Sequence, residues 1–174
     1  KKLNARIALM VCDNPKAFAI KRAKRHNIPI FVVGAQFIAP LRQSREAFER
    51  LVVRVLKNQK IDFVLLAGFM RILTPYFINA FRNRILNIHP SLLPDFKGAH
   101  AIRDAFESGA KETGVTVHSV TADVDAGPIL AQKKVGILKT DTLQSLEKKI
   151  HNAEHALYPL AVKRVIETMG FRKP

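Results

Sequence analysis

The 174-residue chain has one cysteine, no tryptophan, two tyrosines and no apolar run approaching the roughly 20 residues needed to cross a bilayer. With Cys12 alone, no internal disulfide, four-cysteine zinc site or redox dithiol can be drawn, so a reducing, cytoplasmic setting fits best. The basic start, Lys1-Lys2, is not followed by the apolar core of a secretory signal, and no membrane partner is expected. A starting methionine is also lacking, which suggests a processed product or a fragment.

Acidic residues are scarce: 14 stand against 29 Lys and Arg, for a formal charge of +15. Such an excess suggests nucleic acid, an anionic surface or small phosphorylated ligands. The cations are scattered through helical segments (Lys21, Arg22, Lys24, Arg25; Arg50, Arg54, Lys57; Lys148, Lys149; Lys163, Arg164), with neither a basic tail nor interleaved aromatics for base stacking. A solvated basic surface is therefore favoured and no nucleic-acid partner is expected. Small anionic substrates would gain from the field either way.

Apolar residues make up 48% of the chain, enough for one globular domain spanning residues 1–174. Ala5 to Val11 reads as a buried strand, and Asn14-Pro15 opens a helix running to His26. A second strand covers Pro29 to Val33 and ends at Gly34. Ser44 is a candidate N-cap for a helix to Asn58 that aligns Phe48, Leu51, Val52 and Val55. Phe63 to Ala67 is a third strand closed by Gly68, Thr74-Pro75 suits the start of a short helix, and Arg84 to Ile88 is a fourth strand. The alternation predicts an α/β fold, a mostly parallel twisted sheet with helices on both faces. Beyond it, 101–108 reads as helix, and 114–120 with 129–137 as an antiparallel pair at the sheet's far end. Asp141 or Thr142 caps a last helix to about Met169, which Pro159 should kink or divide.

Chemistry concentrates at Leu86-Asn87-Ile88-His89-Pro90. Asn87 and His89 are two apart on a strand, hence on one face, at the carboxyl end where open parallel sheets gather their ligands. A carboxylate partner is available in Asp123-Val-Asp125-Ala-Gly127-Pro128, a loop between two strands, with Asp125 preferred for its place beside the glycine turn. Residue types alone leave other readings open. A lone histidine near a strand end is more often a structural hydrogen-bonder, Asn87 could bond loop backbone, and both aspartates could be turn residues.

Several runs resemble the folate-dependent formyltransferase family: Leu66-Ala-Gly-Phe-Met-Arg-Ile-Leu73, Ile85-Leu-Asn-Ile-His-Pro-Ser-Leu-Leu-Pro94 with Phe96-Lys-Gly98, and Gly114-Val-Thr-Val-His118 leading to Asp123-Val-Asp-Ala-Gly-Pro128. Their order and spacing match, as do Ser44-Arg45-Glu46-Ala47 and Glu154-His155-Ala156. The resemblance implies passage of the formyl group of 10-formyltetrahydrofolate, a cosubstrate, to the amine of glycinamide ribonucleotide, with no metal. Asn87 and a protonated His89 would stabilise the developing oxyanion. Asp125 would pair with His89 and help a water carry protons. Met70, Arg71, Ile72, Leu73, Val120 and Asp123 match folate-binding positions, while Gly68, Pro90 and Glu154 match ribonucleotide contacts. Arg45 and Lys97 are candidate phosphate-side cations. Small-molecule partners, and a monomer or homodimer, are expected.

The family normally opens with one more strand and a glycine, serine and asparagine loop at a helix N-terminus, which suits a phosphate. Nothing like it occurs here, so the chain reads as N-terminally truncated relative to the family, with two unpaired strand edges, weak or no ribonucleotide binding, and an inactive truncated form as an alternative. A formyltetrahydrofolate hydrolase would share Asn87, His89 and Asp125 but use water as nucleophile; the Pro90-Ser-Leu-Leu-Pro94 run favours the transferase. His151-Asn-Ala-Glu154-His155 fits a zinc-peptidase pattern, yet an ordinary polar helix face explains it better.

Overall fold

The structure, a computed structural model, describes residues 5–33 and 45–169. In chain order the elements are β1 (Met10–Cys12), α1 (Phe18–Arg25), β2 (Ile30–Val32), α2 (Arg45–Asn58), β3 (Val64–Leu66), α3 (Pro75–Ala80), β4 (Ile85–His89), α4 (Ala101–Glu107), β5 (Glu112–Ser119), β6 (Ile129–Gly136) and α5 (Leu143–Thr168). The α/β order is the expected one. Gly34 and Ser44, expected to end β2 and cap α2, lie outside the described residues. Contacts fall into two compact units, one of residues 5–62 with 73–80, the other of 63–72 with 81 onward.

In the first unit β1 and β2 pair in parallel, Val11 opposite Phe31. β1 is shorter than the apolar run 5–11 because its leading residues face solvent, Ile7 being 63% exposed. On α2, Phe48, Val52 and Leu56 recur every four residues and are buried together with Val53. Glu49, on the same helix, is buried too. Its carboxylate accepts from the Thr74 N–H at 2.8 Å and from the Thr74 hydroxyl, which occupies the entry to α3. An acid at a helix N-terminus answers both the orphan donors and the dipole, and it explains how a charge can sit in this core.

The second unit holds a four-stranded sheet in the order β3-β4-β5-β6. β3 and β4 are parallel, and β5 is antiparallel both to β6, as expected, and to β4. The second antiparallel ladder follows from the connection after β4. Its only helix, α4, has seven residues, about 10 Å, too short to recross a sheet, so the chain re-enters at the end it left. Pairing places Asn87 opposite His118 and His89 opposite Thr116. Ile88, Val115 and Val117 turn the other way and pack under Leu146, Ile150, Ala153 and Ala161 of α5. That packing continues on both sides of Pro159, and α5 runs through the proline undivided.

Thr142 is the N-cap of α5, in a capping box with Ser145. Asp141 braces this cap. A hydrogen bond from Lys149, then the Leu138 N–H and the Ser145 hydroxyl, lower its pKa from 3.8 to about 2. A carboxylate whose folded pKa is depressed contributes stability above its unfolded pKa and loses it as pH falls through the folded one. Asp141→Asn is therefore expected to lower Tm at pH 7. The gap between variant and wild type should shrink below pH 4 and close near pH 2, as read by circular dichroism melts across that range.

Candidate active site at the carboxyl end of the central strands

Asn87 and His89 stand on one face of β4 by strand alternation, and the antiparallel register sets His118 directly across from Asn87. The Asn87 Nδ2 lies 3.2 Å from His118 Nε2, and His118 Nδ1 donates to the Ser119 carbonyl at 3.0 Å. His89 Nε2 donates to the Phe96 carbonyl at 2.8 Å, which fixes a proton on that nitrogen. Its Nδ1 faces Asp125 Oδ2 at 3.4 Å, so a ring protonated on both nitrogens satisfies both neighbours. Asp125 Oδ1 is 3.5 Å from His118 Nε2, and its Oδ2 also accepts the Gly98 N–H at 3.0 Å. Both histidines are buried. One carboxylate thus touches two imidazoles and a backbone amide in a site shielded from water.

The loop that delivers Asp125 is held by shape as well as polarity. Asp125 has φ 49°, a left-handed backbone in which aspartate is among the better tolerated residues. Two residues on, Gly127 passes so close to β5 that a Cβ there would sit 1.8 Å from the Ser119 carbonyl oxygen. The Ser119 N–H in turn bonds the Pro128 carbonyl at 2.9 Å, which clamps the loop to the strand end. Loop 90–98, which supplies the Phe96 carbonyl and Gly98 N–H, is pinned from behind. The buried Thr116 hydroxyl donates to Ser91 O at 2.7 Å and accepts from Leu93 N at 3.0 Å, while Gln132 Nε2 reaches Leu93 O at 2.9 Å.

On the α5 side of β4 a cleft of about 360 Å³ is lined by Ala67, Gly68, Ile88, Glu154, His155, Tyr158 and Pro159. Gly68 adopts φ 64° at its lip. Burial pushes the Glu154 carboxyl above the ordinary carboxylate range, and the charges of His151, His155 and His89 partly oppose that. Tyr158 closes the floor. Its hydroxyl donates to Leu66 O at 2.9 Å and Leu86 O at 3.0 Å, tying β3 to β4, and burial pushes its phenol pKa up.

The structure brings Asn87, His89 and Asp125 together, with Gly68, Pro90 and Glu154 in the same unit. Met70 and Ile72 are exposed, at 73% and 52%, whereas Arg71 and Val120 are half-buried and Asp123 is exposed. Leu73, which is buried, and Arg45, exposed at the start of α2, belong to the first unit. His118 went unselected, although its motif, ending a β-branched run before the Asp125 loop, pointed there. Phe96 O and Gly98 N–H were missed because backbone groups carry no side-chain signal. The His151, Glu154 and His155 pattern does not assemble, among the described residues, into a group able to hold a metal.

Comparison with known proteins gives this geometry a context. A family model described as formyl transferase matches residues 1–162. Phosphoribosylglycinamide formyltransferase of Bacillus subtilis is 40% identical over 163 residues, 94% of this chain and 82% of the relative. The human trifunctional purine biosynthetic protein adenosine-3 is 39% identical over 162 residues, which cover 93% of this chain and 16% of that larger protein. Among solved structures, phosphoribosylglycinamide formyltransferase from Bacillus halodurans superposes with a TM-score of 0.90 at 43% identity, covering 98% of this chain and 86% of the other. Glycinamide ribonucleotide transformylase 1 from Geobacillus kaustophilus does so with 0.85 at 45% identity, covering 92% and 84%. By the extent of the family match, the chain belongs to the formyl transferase family.

Proposed function

We propose that this protein passes the formyl group of 10-formyltetrahydrofolate to the primary amine of glycinamide ribonucleotide, a step of purine biosynthesis carried out in the cytoplasm. The observation that carries the reading is the convergence of His89 and His118 on Asp125, with Asn87 held against His118 on the same face of β4. It occurs in a chain about 40% identical to proteins named for that transfer.

The amine nitrogen attacks the formyl carbon, and the carbonyl π pair moves onto oxygen. The Asn87 amide is placed to donate to that oxygen, and a doubly protonated His89 adds positive charge nearby. Nε2 of His89 already donates to Phe96 O, so in this reading the ring acts first through its charge and exchanges that partner only as the oxyanion forms. Collapse of the tetrahedral species breaks the bond from carbon to the folate nitrogen, which leaves with the electron pair. The amine becomes an ammonium on attack, and the proton it then loses returns to the departing folate nitrogen through water held at Asp125. His118 decides which face of the Asn87 amide is free. Its Nε2 lies 3.2 Å from the Asn87 Nδ2 and 3.5 Å from Asp125 Oδ1, which holds the amide in place beside the carboxylate.

The folate is assigned to Met70, Arg71, Ile72, Val120 and Asp123. Exposed apolar surface on Met70 and Ile72 suits a flat ring. The ribonucleotide is assigned to Gly68, Pro90 and Glu154, which belong to one unit.

Steady-state assays with both substrates and with ¹³C-formyl label test the reading. Label should appear on the ribonucleotide amine; label released as formate at the same rate without ribonucleotide would sink the transferase in favour of a hydrolase. Asn87→Ala is expected to lower kcat by about 10²–10³, the usual cost of one oxyanion donor, with an unchanged melting temperature. Gly127→Ala should also lower kcat by at least about tenfold, since relieving the clash with Ser119 O moves Asp125 by more than the roughly 0.5 Å that catalytic constellations tolerate. Wild-type turnover in either variant would contradict the assignment of that element.

A further inference from the structure

The 26 residues of α5 run as one helix through Pro159. Proline carries no N–H, so the carbonyl four residues earlier, that of His155, lacks its helical donor there, and the ring presses against it. A helix interior otherwise selects against proline. Here the defect falls at a particular place. His155 and Pro159 are one turn apart on the same helix face, and both line the 360 Å³ cleft with Gly68 and Glu154.

The polar lining of that cleft consists of Glu154, His155 and Tyr158, and the His155 ring can donate or accept. Tyr158, its other polar lining residue on α5 besides Glu154 and His155, spends its hydroxyl on Leu66 O and Leu86 O and turns no donor inward. The Glu154 carboxyl, beside it, offers acceptor oxygens. A carbonyl without its helical partner adds a second acceptor fixed by the backbone, with no side-chain entropy to lose on binding. An occupant that matches such a wall brings hydroxyl, amide or amine hydrogens. The formyl-accepting ribonucleotide carries all three.

We propose that the main-chain carbonyl of His155, exposed by Pro159, is a binding group for the hydrogen-bond donors of the formyl-accepting substrate, beside Glu154. The proposal rests on the transferase reading above. It makes Pro159 a specificity-determining residue that exchanges helix stability for an acceptor in the cleft.

Pro159→Ala restores the missing N–H, which should re-form the helical bond to His155 O and withdraw the carbonyl from the cleft. The expected result is a higher Tm together with a KM for glycinamide ribonucleotide raised by about two- to tenfold, the range of one lost hydrogen bond. The KM for 10-formyltetrahydrofolate should stay within a factor of about two of wild type. A purely structural proline predicts the gain in Tm with no change in either KM, and that outcome would overturn the proposal. So would a parallel rise in both KM values, which marks a general disturbance of the site, or a fall in Tm, which denies that the helical bond was missing. Failure of the wild-type protein to transfer formyl at all would remove the functional reading itself, a result separable from these by the wild-type assay alone.

Discussion

A single carboxylate organises the reactive end of this molecule. Asp125 stands between two buried imidazoles and accepts the Gly98 N–H, so three segments remote in sequence share one negative charge. Buried charge is costly unless it is paired and hydrogen-bonded, and Asp125 meets both conditions only if loop 120–128, strand β5 and loop 90–98 stand where they do. The left-handed backbone at Asp125 and the close pass of Gly127 over Ser119 are what that arrangement demands of the chain. Farther out, Thr116 and Gln132 secure loop 90–98, whose Phe96 carbonyl fixes the proton on His89 Nε2.

The sheet supplies the rest of the organisation. Alternation along β4 sends Ile88 into the core under α5 and turns Asn87 and His89 to the opposite face, so packing and chemistry are separated by one residue. Tyr158 ties the last residue of β3, Leu66, to Leu86 of β4 from the helix side and lines the cleft that holds Glu154. In the proposed reaction Asn87 and His89 stand on a strand and Glu154 on a helix, while Asp125 comes from a loop that is itself pinned.

Much of this was legible in the sequence. The pair Asn87 and His89 could be read because a two-residue spacing on an apolar strand fixes a shared face, and Thr142 could be read as a cap from residue type. Asp125 was separable from Asp123 only by its nearness to Gly127, and the structure supplies the reason in the close approach of that glycine to Ser119. His118 depends on the register of β4 with β5, a long-range pairing that no local pattern states. The antiparallel ladder itself followed from the shortness of α4 rather than from any property of the strands. Pro159 could be recognised as a helix defect, but whether α5 divides there is decided by tertiary packing, through Ala153 and Ala161 on either side of it. The backbone groups of Phe96 and Gly98 were beyond reach for a different reason: every residue has them, and only the fold gives them an address.

If Asp125 binds these groups into one working unit, their contributions to catalysis cannot be independent. The direct measurement is a double-mutant cycle on kcat with Asp125→Asn, His89→Ala and the combined variant, each checked for an unchanged fold by circular dichroism. A working unit predicts that the double variant is scarcely slower than the slower single variant. Losses that multiply, each substitution costing the same factor whether or not the other is present, would contradict it.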